Sequence, residues 1–194
     1  YNKGDFSKGK NLIIFEIAQR YILNFINLEI ECIKDGNQIK ILAIEADEAI
    51  NIKVEGLDFP IQLKGKVDRI DQFNGTTRVV DYKSGKVEQN KVEIVNWEDL
   101  TTDYDKYSKS FQILCYAYMM NQKNLIELPI EAGIISFKNL NAGFLKFGKK
   151  ESSRSKTKDQ MITEETLKNF EIELKKLILE ICDANIDFIE KNLE

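Results

Sequence analysis

The feature that most constrains the fold is the dipeptide Asn74-Gly75, which joins two candidate strands over residues 65–71 and 79–83. Asn-Gly between two such segments is the strongest short-range signal for a β-hairpin with a two-residue turn. A two-residue turn at this place puts Asp68 of the first strand directly opposite Asp81 of the second. The sequence therefore predicts a hairpin in which two carboxylates face each other.

Two carboxylates that face each other across a strand pair destabilise it. At a separation of ~5 Å and an effective dielectric of ~20, the repulsion is roughly 3 kcal/mol, whereas a favourable cross-strand pair contributes only ~0.2–1 kcal/mol. The same register puts Lys66 opposite Lys83, and side-chain alternation places Lys83 on the face of Asp81. A hard divalent cation bound by Asp68 and Asp81 would remove the repulsion. The alternative is a structural ion cluster in which Lys83 neutralises both carboxylates.

The other face of the predicted hairpin carries Arg69 and Asp71. Under the same register Asp71 lies opposite Arg78, which predicts a cross-strand salt bridge. We therefore expect Arg69 and Asp71 to have a mainly structural role.

Hydrophobic periodicity predicts the elements around the hairpin. Apolar residues at helical spacing predict one long, largely buried helix over residues 9–34, and strands are expected over 39–45, 50–54 and from 61 into the hairpin. Residues 85–109 lack a clear period and are expected to form a loop with short helical turns. The remaining predicted elements are a helix over 110–121, strands over 130–137 and 144–147, and helices over 163–182 and about 184–193. This order predicts an α/β fold with a mixed sheet between helices.

The composition excludes several kinds of chemistry. The chain contains no histidine, which excludes Ser-His-Asp and Cys-His catalysis and histidine-ligated metal sites within it. Cys32, Cys115 and Cys182 lie apart among apolar residues, without the clustered spacing of a zinc or iron–sulfur site. We expect buried core thiols, which suit a reducing, cytoplasmic location. The formal net charge of −4 means that any contact with nucleic acid must be local.

The length of 194 residues is that of one domain, and we expect residues 1–194 to form a single domain. The chain begins at Tyr1 rather than Met, so we expect it to be a fragment of a longer protein. No apolar run free of charges reaches the length that spans a membrane.

The charged hairpin and a downstream helix resemble the PD-(D/E)XK nuclease superfamily, in its RecB-like exonuclease branch. The resemblance implies a restriction-endonuclease-like core, which is a central mixed β-sheet flanked by helices. It also implies a metal-dependent DNA nuclease, expected to be an exonuclease, that acts in DNA-end processing or repair. Its expected partners are DNA and a helicase domain in the same or a partner chain. The matching residues are Gly65-x-x-Asp68-Arg69-x-Asp71, Asp81-Tyr82-Lys83-Ser84-Gly85 and Gln112-x-x-x-Tyr116.

The resemblance also implies roles for single residues. Asp68 and Asp81 would hold one or two Mg²⁺ or Mn²⁺ ions, with the backbone carbonyl of Tyr82 as a further ligand. Lys83 would orient the attacking water or stabilise charge in the transition state. The glutamine and tyrosine of the third motif would hold the DNA strand and order the active site. They lie four residues apart, on one face of the predicted helix.

The first helix departs from the family pattern. RecB-like nucleases usually place a metal-binding histidine there, but residues 12–15 of this chain are apolar. Glu16 is the nearest candidate ligand, and its alternative role is that of a solvated helix charge. Because the cysteines are not clustered, we expect no iron–sulfur cluster of the kind that some RecB-like nucleases carry.

A basic segment near the C-terminal third is the candidate DNA contact outside the motifs. Lys149, Lys150, Arg154 and Lys156 lie in a polar stretch, where they could bind phosphate with an affinity that falls with salt. A solvated, mobile loop is the alternative. Two alternatives also stay open for the whole chain. One is a catalytically degenerate module with the same fold that binds DNA or braces a partner protein, and the other is a structural acidic domain.

Overall fold

The computed structural model describes residues 6–188, which form an α/β fold around a five-stranded mixed sheet. The elements are α1 (Gly9–Lys34), β1 (Ile39–Ile52), β2 (Ile61–Phe73), β3 (Thr76–Lys83), β4 (Glu93–Ile94), α2 (Tyr104–Gln122), β5 (Glu131–Ser136), β6 (Phe144–Lys146), β7 (Gly148–Lys150), β8 (Lys158–Asp159) and α3 (Glu164–Cys182), with 3₁₀ turns at Gln89–Val92, Glu98–Thr101 and Phe137–Ala142. The strand order of the large sheet is β1-β2-β3-β5-β6, and a second, small sheet has the order β4-β7-β8. β3 and β5 are parallel and α2 connects them, whereas the other neighbours in the large sheet are antiparallel. The predicted fold class is confirmed.

The β2–β3 hairpin is confirmed with its predicted turn and register. Asn74 and Gly75 have φ values of 50° and 85°, which are the two left-handed positions that a type I′ turn requires. The ladder from this turn extends to the pair Arg69–Val80, in the register that the two-residue turn predicts. The Asn74 amide N–H also donates to the carbonyl of Gln38, 2.9 Å away, which ties the turn to the start of β1.

The expected pairing of Asp68 with Asp81 is wrong in one respect, because the ladder ends at the preceding pair, Arg69–Val80. Beyond that pair, the backbone N–H of Tyr82 donates to Oδ2 of Asp68 at 2.7 Å. A side-chain carboxylate thus accepts the hydrogen bond of a strand N–H at this point. The two aspartates remain close enough for their charges to interact, but they are not opposed within a regular ladder.

The neighbouring strand is also irregular at this point. β1 is one strand of 14 residues, where the sequence pattern predicts two, and its Glu45 has a φ of 55°. The β1–β2 pairs on either side of Glu45 and Asp68 are Ile44–Arg69 and Ala46–Val67. The β2–β3 ladder does not extend to Lys66 and Lys83, so their expected pairing is also wrong, and Lys66 forms an ion pair with Glu45 instead. The strand alternation is therefore interrupted where the carboxylates lie.

The helix that carries Gln112 begins earlier than the periodicity predicts. α2 starts at Tyr104 rather than near residue 110, because the Asp103 side chain caps it by accepting from the N–H of Lys106 at 2.9 Å. The segment before residue 110 is largely polar, so a hydrophobic pattern does not detect it. The predicted last helix is absent over 184–188, where the structure has a turn, and its remainder lies outside the described residues.

The sheet is covered differently on its two faces. α2 packs on one face, and α3, capped by Thr163, packs against α2. Close approach of α2 depends on Gly65, since a Cβ there would lie 3.2 Å from Cε1 of Tyr116. On the other face, Phe25 of α1 packs against the ring of Tyr82 at a centroid distance of 5.4 Å. No helix within residues 6–188 combines the length and apolarity needed to cross a membrane.

The prediction that the first helix is largely buried is wrong, because α1 has no buried residue. Its contacts with the sheet come from its second half, through Phe25 and through Glu29, which pairs with Arg69 at 2.7 Å. No element of the described chain covers the apolar side chains of the first half. Nine large apolar residues of α1 are exposed, namely Ile13, Ile14, Phe15, Ile17, Ile22, Leu23, Ile26, Ile30 and Ile33.

A buried ionic network holds the centre of the β2–β3 hairpin, and the predicted salt bridge between Asp71 and Arg78 is part of it. Arg78 donates to both carboxylate oxygens of Asp71 at 2.8 Å. Arg69 Nη2 lies 2.6 Å from the same carboxylate, and Arg69 Nη1 donates to the Tyr82 hydroxyl at 3.1 Å. The Asp71 carboxylate is fully buried, so this network is a structural requirement of the fold and not a solvated surface pair.

We expect Asp71→Asn to lower the free energy of unfolding by about 3–5 kcal/mol, because it leaves the buried Arg78 guanidinium without its counter-charge and Arg69 with Glu29 alone. Urea unfolding followed by circular dichroism measures the change. Glu88→Gln is the matched control, since it removes the carboxylate of an exposed pair with Lys86 and should leave the midpoint unchanged. Equal midpoints for Asp71→Asn and the unsubstituted domain would contradict the structural role of the network.

We expect the Cys115 thiol to resist alkylation at neutral pH in the folded protein. Burial against the core raises its pKa to about 11, and only the thiolate reacts. Mass spectrometry after iodoacetamide treatment, with the urea-unfolded chain as control, measures the modification. Rapid labelling of Cys115 in the folded protein at pH 7 would contradict this assignment.

Candidate active site

Three charged side chains from β2 and β3 meet next to α2. Asp81 is only 2 % exposed, and its Oδ1 accepts a hydrogen bond from Lys83 Nζ at 3.1 Å. The same ammonium lies 2.8 Å from Oδ2, without hydrogen-bond geometry. Asp68 approaches the group from β2, held by the backbone N–H of Tyr82. The predicted position of Lys83 on the face of Asp81 is therefore confirmed.

Burial raises the pKa of the Asp81 carboxyl, and the hydrogen bond and charge of Lys83 act in the opposite direction. The negative charge of Asp68 also raises this pKa, whereas the positive charge of Lys109 lowers it. Asp81 thus lies near one carboxylate that disfavours its ionised form and two lysines that favour it.

Gln112 of α2 connects the charged group to the helix. Its Oε1 accepts from Lys83 Nζ at 2.9 Å, and its Nε2 donates to the Tyr116 hydroxyl at 2.8 Å. Lys83 is thereby held between a carboxylate on its own strand and an amide on the helix. The structure brings together five predicted site residues, Asp68, Asp81, Lys83, Gln112 and Tyr116, from three elements.

The donor set of the site fits a hard divalent cation. The buried Oδ2 of Asp81 accepts no hydrogen bond from a described residue, although the Lys83 ammonium lies 2.8 Å from it. One oxygen of Asp68 is also free of hydrogen bonds within residues 6–188. Oxygen ligands of this kind are those that Mg²⁺ and Mn²⁺ take, usually from one or two carboxylates.

A third side-chain ligand does not join these two carboxylates. No group of three or more histidine, cysteine or acidic side chains within residues 6–188 could hold a metal ion together. Glu16, the candidate from the first helix, is exposed on the first half of α1 and is not brought to Asp68 and Asp81. The remaining ligands of a cation would have to come from the backbone, such as the Tyr82 carbonyl, or from water.

The basic segment lies at the small sheet, away from this group. Lys149 Nζ donates to the carbonyl of Lys150 at 3.0 Å, and Lys150 Nζ pairs with Glu93 at 2.5 Å. Arg154 and Lys156 are exposed in the connection between β7 and β8. No contact between described residues joins this segment to Asp68 or Asp81, so it forms a separate basic surface, of which Lys150 is already neutralised.

Sequence reasoning does not single out Lys109, which lies one turn before Gln112 on α2 and whose charge lowers the pKa of Asp81. The signal in the sequence is the spacing of Lys109, Gln112 and Tyr116, at three and four residues. The hydrophobic pattern places the start of the helix after Lys109 and so leaves this residue outside it.

A comparison with protein families agrees with this geometry. The family model described as the PD-(D/E)XK nuclease superfamily matches residues 25–192, which include both strands of the hairpin and all of α2. No curated protein and no solved structure matches the chain. The match covers most of the chain, and the chain belongs to the PD-(D/E)XK nuclease superfamily.

Proposed function

We propose that this domain is a Mg²⁺- or Mn²⁺-dependent deoxyribonuclease that hydrolyses phosphodiester bonds with an activated water. Membership of the superfamily supports a nuclease-type function. The observation that carries the proposal is the position of the Lys83 ammonium, which is held between Asp81 and Gln112 beside a second carboxylate. A lysine fixed in this way next to metal-ligating oxygens suits phosphodiester hydrolysis without histidine.

In this proposal Asp68, Asp81 and the backbone carbonyl of Tyr82 hold the cation. When bound, a divalent ion supplies a Lewis acid and lowers the pKa of a coordinated water. The protein's contribution is to keep these oxygens in place. The backbone N–H of Tyr82 orients the Asp68 carboxylate, and the burial of Asp81 limits competition from solvent.

Lys83 provides the fixed positive charge of the site. Its side chain is 30 % exposed, so a phosphate from solvent can reach the ammonium that Asp81 and Gln112 hold. A point charge aimed at the reacting phosphate stabilises negative charge that develops in the transition state. Gln112 acts as a positioning residue, and the Tyr116 hydroxyl holds the amide of Gln112 in the orientation that accepts from Lys83.

The second part of the proposal concerns the branch of the superfamily and the cellular process in which the domain acts. We propose RecB-like exonuclease action at DNA ends, with a helicase domain in the same or a partner chain, in DNA-end processing or repair. Support comes from the third motif, because Gln112 contacts Lys83 and Tyr116 as a single network. The cytoplasmic location stays a prediction from the three unclustered cysteines.

The second candidate is a catalytically degenerate module that keeps the fold and binds DNA or a partner protein. The absence of a third acidic ligand within residues 6–188 favours it, as does the ion pair of Lys83 with Asp81. Retention of both aspartates and the lysine in contact favours the enzyme. Metal binding and cleavage distinguish the two.

We expect Mg²⁺ or Mn²⁺ to stabilise the domain, because the free carboxylate oxygens bind the cation only in the folded state. At a free-metal concentration about 100 times the Kd, the gain is about 2.7 kcal/mol. Thermal unfolding with and without metal measures it, and a chelator should reverse it. Asp68→Asn and Asp81→Asn should each abolish the gain.

Asp58→Asn is the matched control for metal binding, since Asp58 is exposed in the connection between β1 and β2. This variant should keep the full metal response. A metal response that survives in Asp81→Asn would contradict the ligand assignment.

We expect metal-dependent cleavage of end-labelled linear DNA, single- or double-stranded, which Asp81→Ala and Lys83→Ala each reduce about a hundredfold or more. Gel electrophoresis of time courses with Mg²⁺ and with Mn²⁺ measures the rate. Loss of ends before internal fragments would identify exonuclease action.

Lys168→Ala is the control for cleavage, because Lys168 is an exposed residue of α3. It should cleave like the unsubstituted domain. Absence of cleavage by a folded, metal-binding domain would favour the degenerate module. Equal cleavage by all variants would indicate a contaminant and contradict the site.

A further inference from the structure

Lys109 occupies the same face of α2 as the residues that define the third motif. It lies three residues before Gln112 and seven before Tyr116, so the three side chains line one side of the helix. Gln112 is fixed in space by its hydrogen bond to Lys83. The helix geometry therefore places the Lys109 side chain beside the carboxylate group, one turn toward the helix N-terminus.

The positive charge of Lys109 acts on Asp81, but no described residue pairs with the Lys109 ammonium. It is half-buried and makes no ion pair or hydrogen bond with any described residue. Nearby lysines are engaged, since Lys83 contacts Asp81 and Gln112, and Lys106 lies 4.7 Å from the ring centroid of Tyr107. Its effect on the pKa of Asp81, weaker than those of burial and of Lys83, supports its proximity to the carboxylates.

We propose that Lys109 binds a backbone phosphate of the nucleic acid strand that reaches Asp68, Asp81 and Lys83. This inference rests on the proposed function, because it names the substrate contact of the same site. No described residue pairs with the Lys109 ammonium, so its charge is available to an incoming phosphodiester.

The chemistry of the lysine fits this role. A compact ammonium on a flexible stem binds phosphate as a point charge, with no demand on the base sequence. Each phosphate contact of this kind releases a counterion, so it contributes to the salt dependence of binding. A lysine that only balanced the carboxylates would not make this contribution.

The test compares Lys109→Met, Lys109→Arg and the matched control Lys168→Met with the unsubstituted domain. Binding of labelled single-stranded and duplex oligonucleotides is measured by fluorescence anisotropy across a range of salt concentrations. A chelator is present, so the result does not depend on cleavage. Urea unfolding of each variant verifies that the fold is intact.

We expect Lys109→Met to weaken binding about tenfold. The slope of log affinity against log salt should fall by about 0.9 for duplex or about 0.7 for single-stranded DNA. Lys109→Arg keeps the charge and should bind like the unsubstituted domain, as should Lys168→Met. With metal present, Lys109→Met should raise KM while kcat changes little.

Unchanged affinity and salt slope in Lys109→Met would overturn the inference, and if the unsubstituted domain cleaves DNA the proposed function would stand. Binding that depends on Lys109 in a domain that does not cleave would support the inference and overturn the nuclease. If the unsubstituted domain binds neither oligonucleotide, the Lys109 contact is overturned as well.

Discussion

The carboxylate of Asp71, buried between two guanidinium groups, is the interaction on which the rest of the structure depends. Arg78 binds both of its oxygens, and Arg69 reaches it from the same strand. Separating a buried charge from its partners costs about 3–5 kcal/mol, a large share of the stability of a domain. A shift of one residue would move Asp71 to the opposite face of the sheet. The network therefore stabilises the register that presents Asp68 and Asp81 to α2.

β2 and β3 carry two groups of charged residues, and the alternation of side chains along the strands places the two groups on opposite faces of the sheet. On the face toward α1, Arg69 and Asp71 are buried and ion-paired with each other, and Arg69 also pairs with Glu29. Two nitrogens of Arg69, Nε and Nη2, nevertheless donate no hydrogen bond to a described residue. On the face toward α2, the equally buried Asp81 pairs with Lys83, and the charge of Asp68 also acts on it. The two groups of charged residues thus lie on opposite faces of one sheet.

The electrostatic balance of the site follows from its burial. The pKa of Asp81 is raised by desolvation, and Lys83 only partly offsets that effect. An added positive charge would therefore stabilise the ionised form of the Asp81 carboxylate. Gln112 keeps the lysine within reach of Asp81. Superfamily membership and this charge arrangement lead to the same class of chemistry.

The sequence by itself determined the hairpin, its turn and register, and the placement of Lys83 with Asp81, because turn chemistry at Asn74-Gly75 and strand alternation are local properties. Tertiary structure alone decided that the ladder stops before Asp68 and that Lys83 contacts Gln112 of α2. It also decided that α1 stays exposed, although its apolar pattern predicts burial. These features depend on which distant segments pack together, and hydrophobic periodicity reports that a side chain favours burial without saying what buries it.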